Sequence, residues 1–311
     1  MDSKNHLFND ETIDGMPDGW LPMDKKYELT EEDNKDGTKE LLFDARDVAA
    51  KALGNLLSEL GVEEKYFRHI YKMPIGLHNN PEESSEGGEK PKAAFYDPGK
   101  YGIAIWRYDD DLMDYKEAVA DLKDGYDDSE EEMKLAQSRL ALSMTHEMLH
   151  SILTMKMNNR FLNIGDYLGG EGLEENMTEV LSVIAVKSDK DGENYLDTAH
   201  KFEEYANNSR LPLLGLFSKI IQRMDKDLLV WFLTSAQSGD LLKHNRIKDC
   251  FGDQYDTFLR NTNFLYEIET NDEGPKSETI EIFGQRLKRD EAMVAQRIII
   301  NETDEIINKK L

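Results

Sequence analysis

SEEEMKLAQSRLALSMTHEMLHSILTM, residues 129–155, contains neither glycine nor proline and reads as one long helix. Ser129 and Glu132 have the spacing of a capping box at its start. Leu135, Leu142, Leu149, Ile152 and Leu153 recur at helical spacing, and Met144 and Met148 widen the apolar face. The second half of the helix is therefore expected to cross a core. In that half lies His146-Glu147-Met148-Leu149-His150, the pattern H-E-x-x-H. With 7 histidines in 311 residues, chance predicts about 0.02 such matches in the chain. Positions i and i+4 share a helix face, with Cβ atoms about 5–6 Å apart. Two imidazoles so placed reach one Zn²⁺ at about 2.0–2.1 Å. Glu147 then lies beside the metal, where a carboxylate takes the proton of an activated water.

A catalytic zinc usually takes three protein ligands, so a third is required. The metzincin pattern would put glycine at 153 and histidine at 156, where this chain has Leu153 and Lys156. Further on, a glycine-rich turn at Gly169, Gly170 and Gly172 precedes a helix expected from about Leu173 to Val186. It carries Glu175-Asn176-Met177-Thr178-Glu179, in which the two glutamates share a face, while Leu173, Met177, Val180 and Ile184 make a packing stripe. One carboxylate can ligate the metal and the other can accept the remaining ring N–H of a ligand histidine. The competing readings are plain: two core histidines on an apolar helix, and a solvated acidic helix face.

On these residues the chain resembles the gluzincins, the zinc peptidases that include the thermolysin-like enzymes. The resemblance covers about residues 93–187 and is specific at the motif. It implies His146, His150 and Glu175 as ligands of one Zn²⁺, Glu147 as general base and Glu179 as the carboxylate behind a ligand histidine. Glu174 stands where the thermolysin pattern has asparagine, and it remains the next candidate for third ligand. The family also stabilises its oxyanion with a histidine or tyrosine from the later helices. Tyr195, His200 and Tyr205 are the nearest, and His200 and Tyr205 are the candidates taken forward. The implied architecture is α+β and zincin-like, a small mixed sheet packed on the H-E-x-x-H helix and followed by a mainly helical lobe. The implied activity is hydrolysis of a peptide or protein substrate. The resemblance also suggests that Ile103-Ala104-Ile105 forms the sheet edge beside the cleft.

The rest of the chain fits around this centre. Residues 1–37 are polar, acidic and without period, and are expected to be a mobile or loosely docked arm. A catalytic domain is expected over 38–190, a helical lobe over 191–270, and a tail with an amphipathic helix over 271–311 after the hinge Gly274-Pro275. Leu41 to Leu60 has helical periodicity and stops at Gly61. Residues 66–77 look strand-like around Tyr66-Phe67 and Ile70-Tyr71, Asn79 to Lys92 reads as a surface loop, and a short helix is expected from Tyr115 to Leu122, closing at Gly125. Ala93–Tyr96 and Tyr101–Trp106 read as strands joined by the turn Asp97-Pro98-Gly99-Lys100.

Composition narrows the function classes. A net charge of −25 repels phosphate backbones, which argues against nucleic-acid binding. No apolar run is long enough to span a membrane. The opening Met1-Asp2-Ser3-Lys4-Asn5-His6 lacks a signal-peptide core, which predicts a cytoplasmic protein and leaves non-classical export open. Cys250 is the only cysteine and lies in no catalytic motif, and Ser143 has no G-x-S-x-G elbow around it, so neither supports nucleophilic catalysis. The reading is a zinc metallopeptidase. Its rival is a non-catalytic interaction or regulatory protein that keeps a zincin-like scaffold.

Overall fold

The computed structural model describes residues 16–17, 20–78, 94–97, 99–124, 129–157, 160–208, 211–272 and 277–311. Residues 1–15 of the expected arm, the loop Asn79–Lys92, Pro98, Gly125, the side chain of Ser129 with its expected cap, and the hinge Gly274-Pro275 lie outside the described residues. The fold is α+β and mostly helical, with small sheets.

Its centre is three long helices. The first, α2 (Thr38–Leu60), follows the short α1 (Glu31–Lys35) and ends where Gly61 adopts the left-handed conformation and its N–H caps the last turn. Leu42, Leu53, Leu57 and Leu60 on α2 are buried to 1% exposure or less. Helix α4 (Ser129–Leu153) follows α3 (Asp110–Asp124), which contains the helix expected at 115–122. The α2 helix packs on α4 and on α6 (Glu171–Asp191), and α4 and α6 also pack on each other. Met144, Met148, Leu149, Ile152 and Leu153 are fully buried, so the second half of α4 crosses the core as its periodicity requires. Leu135, counted in the same stripe, is exposed on the first half. The helix stops at Leu153 rather than Met155, because Thr154–Met157 forms a strand, β6, paired antiparallel with β7 (Arg160–Asn163).

A three-stranded sheet covers one side of α4. Its order is β2 (Ile75–His78), β5 (Ile103–Trp106), β3 (Ala94–Tyr96), with β2 parallel and β3 antiparallel to β5. Ile103-Ala104-Ile105 is therefore the centre of the sheet and not its edge. β3 takes the edge position, against α4. The turn after β3 has the expected form: Gly99 has φ +86° and the Lys100 N–H donates to Asp97 O at 2.9 Å. The chain then makes a two-residue strand, β4 (Lys100–Tyr101), that pairs with β1 (Leu21–Pro22) before β5 begins. Because Ala104 is interior, Ala104→Pro should remove a ladder hydrogen bond on a buried strand and cost on the order of 3 kcal/mol. A melt should show a large loss of stability; a folded variant with wild-type melting would contradict the strand order.

Two expectations for the N-terminal half need correction. Of the stretch 66–77 expected to be strand-like, only 75–77 is strand, in β2, and two short 3₁₀ turns at Glu64–Tyr66 and Arg68–Lys72 precede it. The apolar residues there are three apart, and a tight helical turn buries Phe67 and Ile70 together while Tyr71 stays exposed. Residues 20–37 are also docked, not loose. Trp20 is buried against His69, Tyr96 and Phe161. Asp33 is fully buried, and its hydrogen bond to the Arg107 guanidinium holds its carboxyl down at about 2.

Beyond α6 come α7 (Tyr195–Asn208), α8 (Pro212–Arg223), α9 (Lys226–Ser238), α10 (Arg246–Phe251) and α11 (Tyr255–Asn271). A hairpin of β8 (Thr279–Ile282) and β9 (Gln285–Lys288), with no counterpart in the sequence reading, leads into α12 (Arg289–Lys310), the expected tail helix. One apolar core runs from Trp20 to Ile307 and includes residues of the sheet, the three central helices and the later helices. No described helix is long and apolar enough to cross a membrane.

Candidate metal centre

His146 and His150 sit one turn apart on the cleft side of α4, and their Nε2 atoms approach to 3.0 Å. Across from them, α6 presents Glu175. Its Oε2 lies 3.3 Å from His146 Nε2 and its Oε1 lies 3.4 Å from His150 Nε2. These three residues form a group whose ligand atoms all lie within 4.8 Å of one another. Each imidazole is held from behind as well. His146 Nδ1 is 3.1 Å from Glu179 Oε2, and His150 Nδ1 is 2.9 Å from Glu174 Oε1. A carboxylate only accepts, so each Nδ1 is the N–H and each Nε2 is turned toward Glu175.

The choice between Glu174 and Glu175 follows from this arrangement. Glu174 is buried, and its second oxygen accepts from the Gly165 N–H at 2.7 Å, in α5 (Ile164–Leu168). Both of its oxygens are engaged behind His150, leaving Glu175 in front. A Cβ at Gly165 would come within 2.6 Å of Glu174 Oε2, so this close approach needs glycine.

The electrostatics call for positive charge between the two nitrogens. Burial works against a charged His146, but hydrogen bonds to Glu175 and Glu179 outweigh it, and its pKa is raised to about 9. His150 is likewise pushed well above the ordinary range, with hydrogen bonds to Glu174 and Glu175 overcoming burial. Burial also works against ionised Glu175, yet its bonds to both histidines pull it well below the usual carboxylate range. Protons hold this place in the metal-free chain, and a cation bound by both Nε2 atoms must displace them. The donor set of two imidazoles and one carboxylate suits zinc.

A pH dependence follows. For His146 the folded value of about 9 lies above the unfolded value of about 6.5. The stability it contributes is complete below about pH 6.5 and is lost as pH rises through 9. The chelated protein should therefore melt at progressively lower temperature from pH 6.5 to 9, and His146→Asn should flatten the slope. A melting temperature that climbs over this interval would contradict it.

The site opens into a cleft of about 540 Å³ bordered by β3, α4, α6 and Tyr266 of α11. Glu147 lines the cleft next to the histidines without belonging to the three-residue group. His200 and Tyr205 do not reach it. They are exposed on α7, His200 beside Glu204 and Tyr205 stacked on Phe202. The residue missed by sequence reasoning is Tyr266. Burial, followed by the charges of Glu175 and Glu171, raises its pKa and keeps the phenol a donor. It reaches the cleft because α11 lies close on the start of α6: a Cβ at Gly172 would sit 2.9 Å from Thr262 O and Tyr266 Cβ.

No protein-family model, no curated protein and no solved structure matches this chain.

Proposed function

We propose that the chain is a single-zinc peptidase of gluzincin type on a zincin-like fold. The observation that carries this reading is the pair of Nε2 atoms 3.0 Å apart facing Glu175, with a carboxylate behind each ring. His146, His150 and Glu175 would hold the ion. When bound, zinc supplies a Lewis acid that polarises a carbonyl and acidifies water near neutral pH. Glu147 takes the proton of the attacking water and returns it to the leaving amine. Glu179 and Glu174 fix the histidine rings. Tyr266 is well situated to donate to the developing oxyanion, the role first sought at His200 and Tyr205. The β3 edge, rather than β5, is the strand beside which an extended peptide would run.

Zinc titration together with cleavage of a broad peptide library tests this reading. Expected are about one equivalent of zinc and cleavage that chelation abolishes. Glu179→Ala should weaken metal affinity or turnover about 10–100-fold with the fold intact. Less than about half an equivalent of any transition metal after reconstitution would overturn the metal site. Stoichiometric zinc with no cleavage anywhere in the library would favour a non-catalytic interaction protein.

A further inference from the structure

The helix α6 starts without a cap of its own, because Gly170 at its N-cap has no side chain to offer the first free N–H groups. The cap comes from another element. Asn263 of α11 accepts from the Gly172 N–H through Oδ1 at 3.1 Å, the bond that an N-cap side chain ordinarily makes. Its amide nitrogen donates to Gly169 O at 3.3 Å, so one side chain spans the turn leading into α6. Tyr255, at the start of α11, holds the same turn separately by donating to Leu168 O at 3.0 Å. The Asn263–Gly172 contact is placed close to the chemistry. Glu175 lies three residues beyond Gly172 on α6, and Tyr266 lies three residues beyond Asn263 on α11. Three helical residues rise about 4.5 Å, so the contact sits within one turn of a metal ligand and of the phenol on the other wall.

Resting on the peptidase reading above, we infer that Asn263 is a positioning residue: by capping α6 from α11 it holds Tyr266 in register with the zinc site, where the phenol donates to the tetrahedral oxyanion. The ground-state substrate makes little use of that donation, so the contribution appears in kcat and not in KM.

A peptide substrate and a phosphonate peptide of the same sequence, which mimics the tetrahedral anion, provide the test on zinc-loaded protein. Asn263→Ala should lower kcat about tenfold with KM and zinc content unchanged, and weaken phosphonate binding by a similar factor. Both losses should vanish when the change is made in a Tyr266→Phe background, because the first residue acts only through the second. In the metal-free protein, amide exchange at Gly172 should rise about fivefold. Tyr255→Phe, which frees Leu168 O on the same turn, should lower the melting temperature and leave phosphonate affinity unchanged. Should Asn263→Ala not fold, Asn263→Asp keeps the acceptor and gives up the donor, with about a two- to threefold loss expected in the same comparison. An Asn263 variant whose loss persists without the Tyr266 hydroxyl, or is matched by Tyr255→Phe, overturns the inference and spares the peptidase reading. So does unchanged exchange at Gly172, or a Tyr266→Phe protein that binds the phosphonate as the wild type does. If the wild type cleaves nothing, the phosphonate measurements decide alone. Neither cleavage nor phosphonate binding overturns the peptidase reading, and this inference with it.

Discussion

Glu147→Gln is expected to keep its zinc and to lose peptide hydrolysis by at least about 10²-fold. Glutamine has the same shape and length, so α4 and its buried face are undisturbed. Its amide cannot take a proton from water at neutral pH. The residue lines the cleft beside His146 and His150 but does not belong to the ligand group, so metal content should not follow activity. This separation is the diagnostic. Metal analysis and turnover on the same sample read it directly, and wild-type turnover in a zinc-loaded Glu147→Gln protein would remove the base from the mechanism.

His150→Ala should be the most damaging single change, for a reason apart from the lost ligand. Glu174 is 3% exposed and faces His150 at 2.9 Å, with the Gly165 N–H as its other partner. Removing the imidazole strands a carboxylate in the core. Breaking a buried pair from one side typically costs about 3–5 kcal/mol, more than a surface ion pair is worth. Zinc affinity should collapse, and the metal-free protein should also lose about 3 kcal/mol of stability. Adding Glu174→Gln should recover part of that stability without recovering zinc. If the double variant is no more stable than His150→Ala alone, Glu174 does not carry the buried charge assigned to it.

The parts of the site legible in the sequence are those whose geometry is local. An i, i+4 histidine pair specifies its own spacing once the segment is a helix, and the apolar stripe from Met144 to Leu153 fixed which way that helix faces the core. Glu174 and Glu175 are different. They are neighbours about 100° apart around α6, and which one meets the histidines depends on how α6 docks against α4, information no local pattern holds. Tyr266 lies 91 residues beyond Glu175 with no motif around it, so only the packing of α11 on α6 reveals it. The β5 strand was misplaced for a similar reason. Alternation identifies a strand but not its neighbours, and β2, at the end of the stretch 66–77 that reads as strand-like, pairs parallel with β5 and takes it into the interior of the sheet. Residues 20–37 lack periodicity, yet Trp20, packed on three rings, and Asp33, bonded to Arg107, dock them through long-range contacts.

Gly172 separates what is adjustable in this molecule from what is not. Thr262 O and Tyr266 Cβ of α11 approach α6 at this position, and the Asn263 side chain accepts from the Gly172 N–H at 3.1 Å. The gap between the wall bearing Tyr266 and the helix bearing Glu175 is thus a property of main-chain geometry. Side chains facing the gap, such as Glu171 and Phe95, can drift and retune which ligands are admitted while the width stays constant. A methyl group at 172 would act in the opposite sense, as a wedge that alters the width and shifts Tyr266 away from Glu175. Selectivity can therefore evolve through the side chains that line this cleft, whereas its aperture changes only where the contact at Gly172 does.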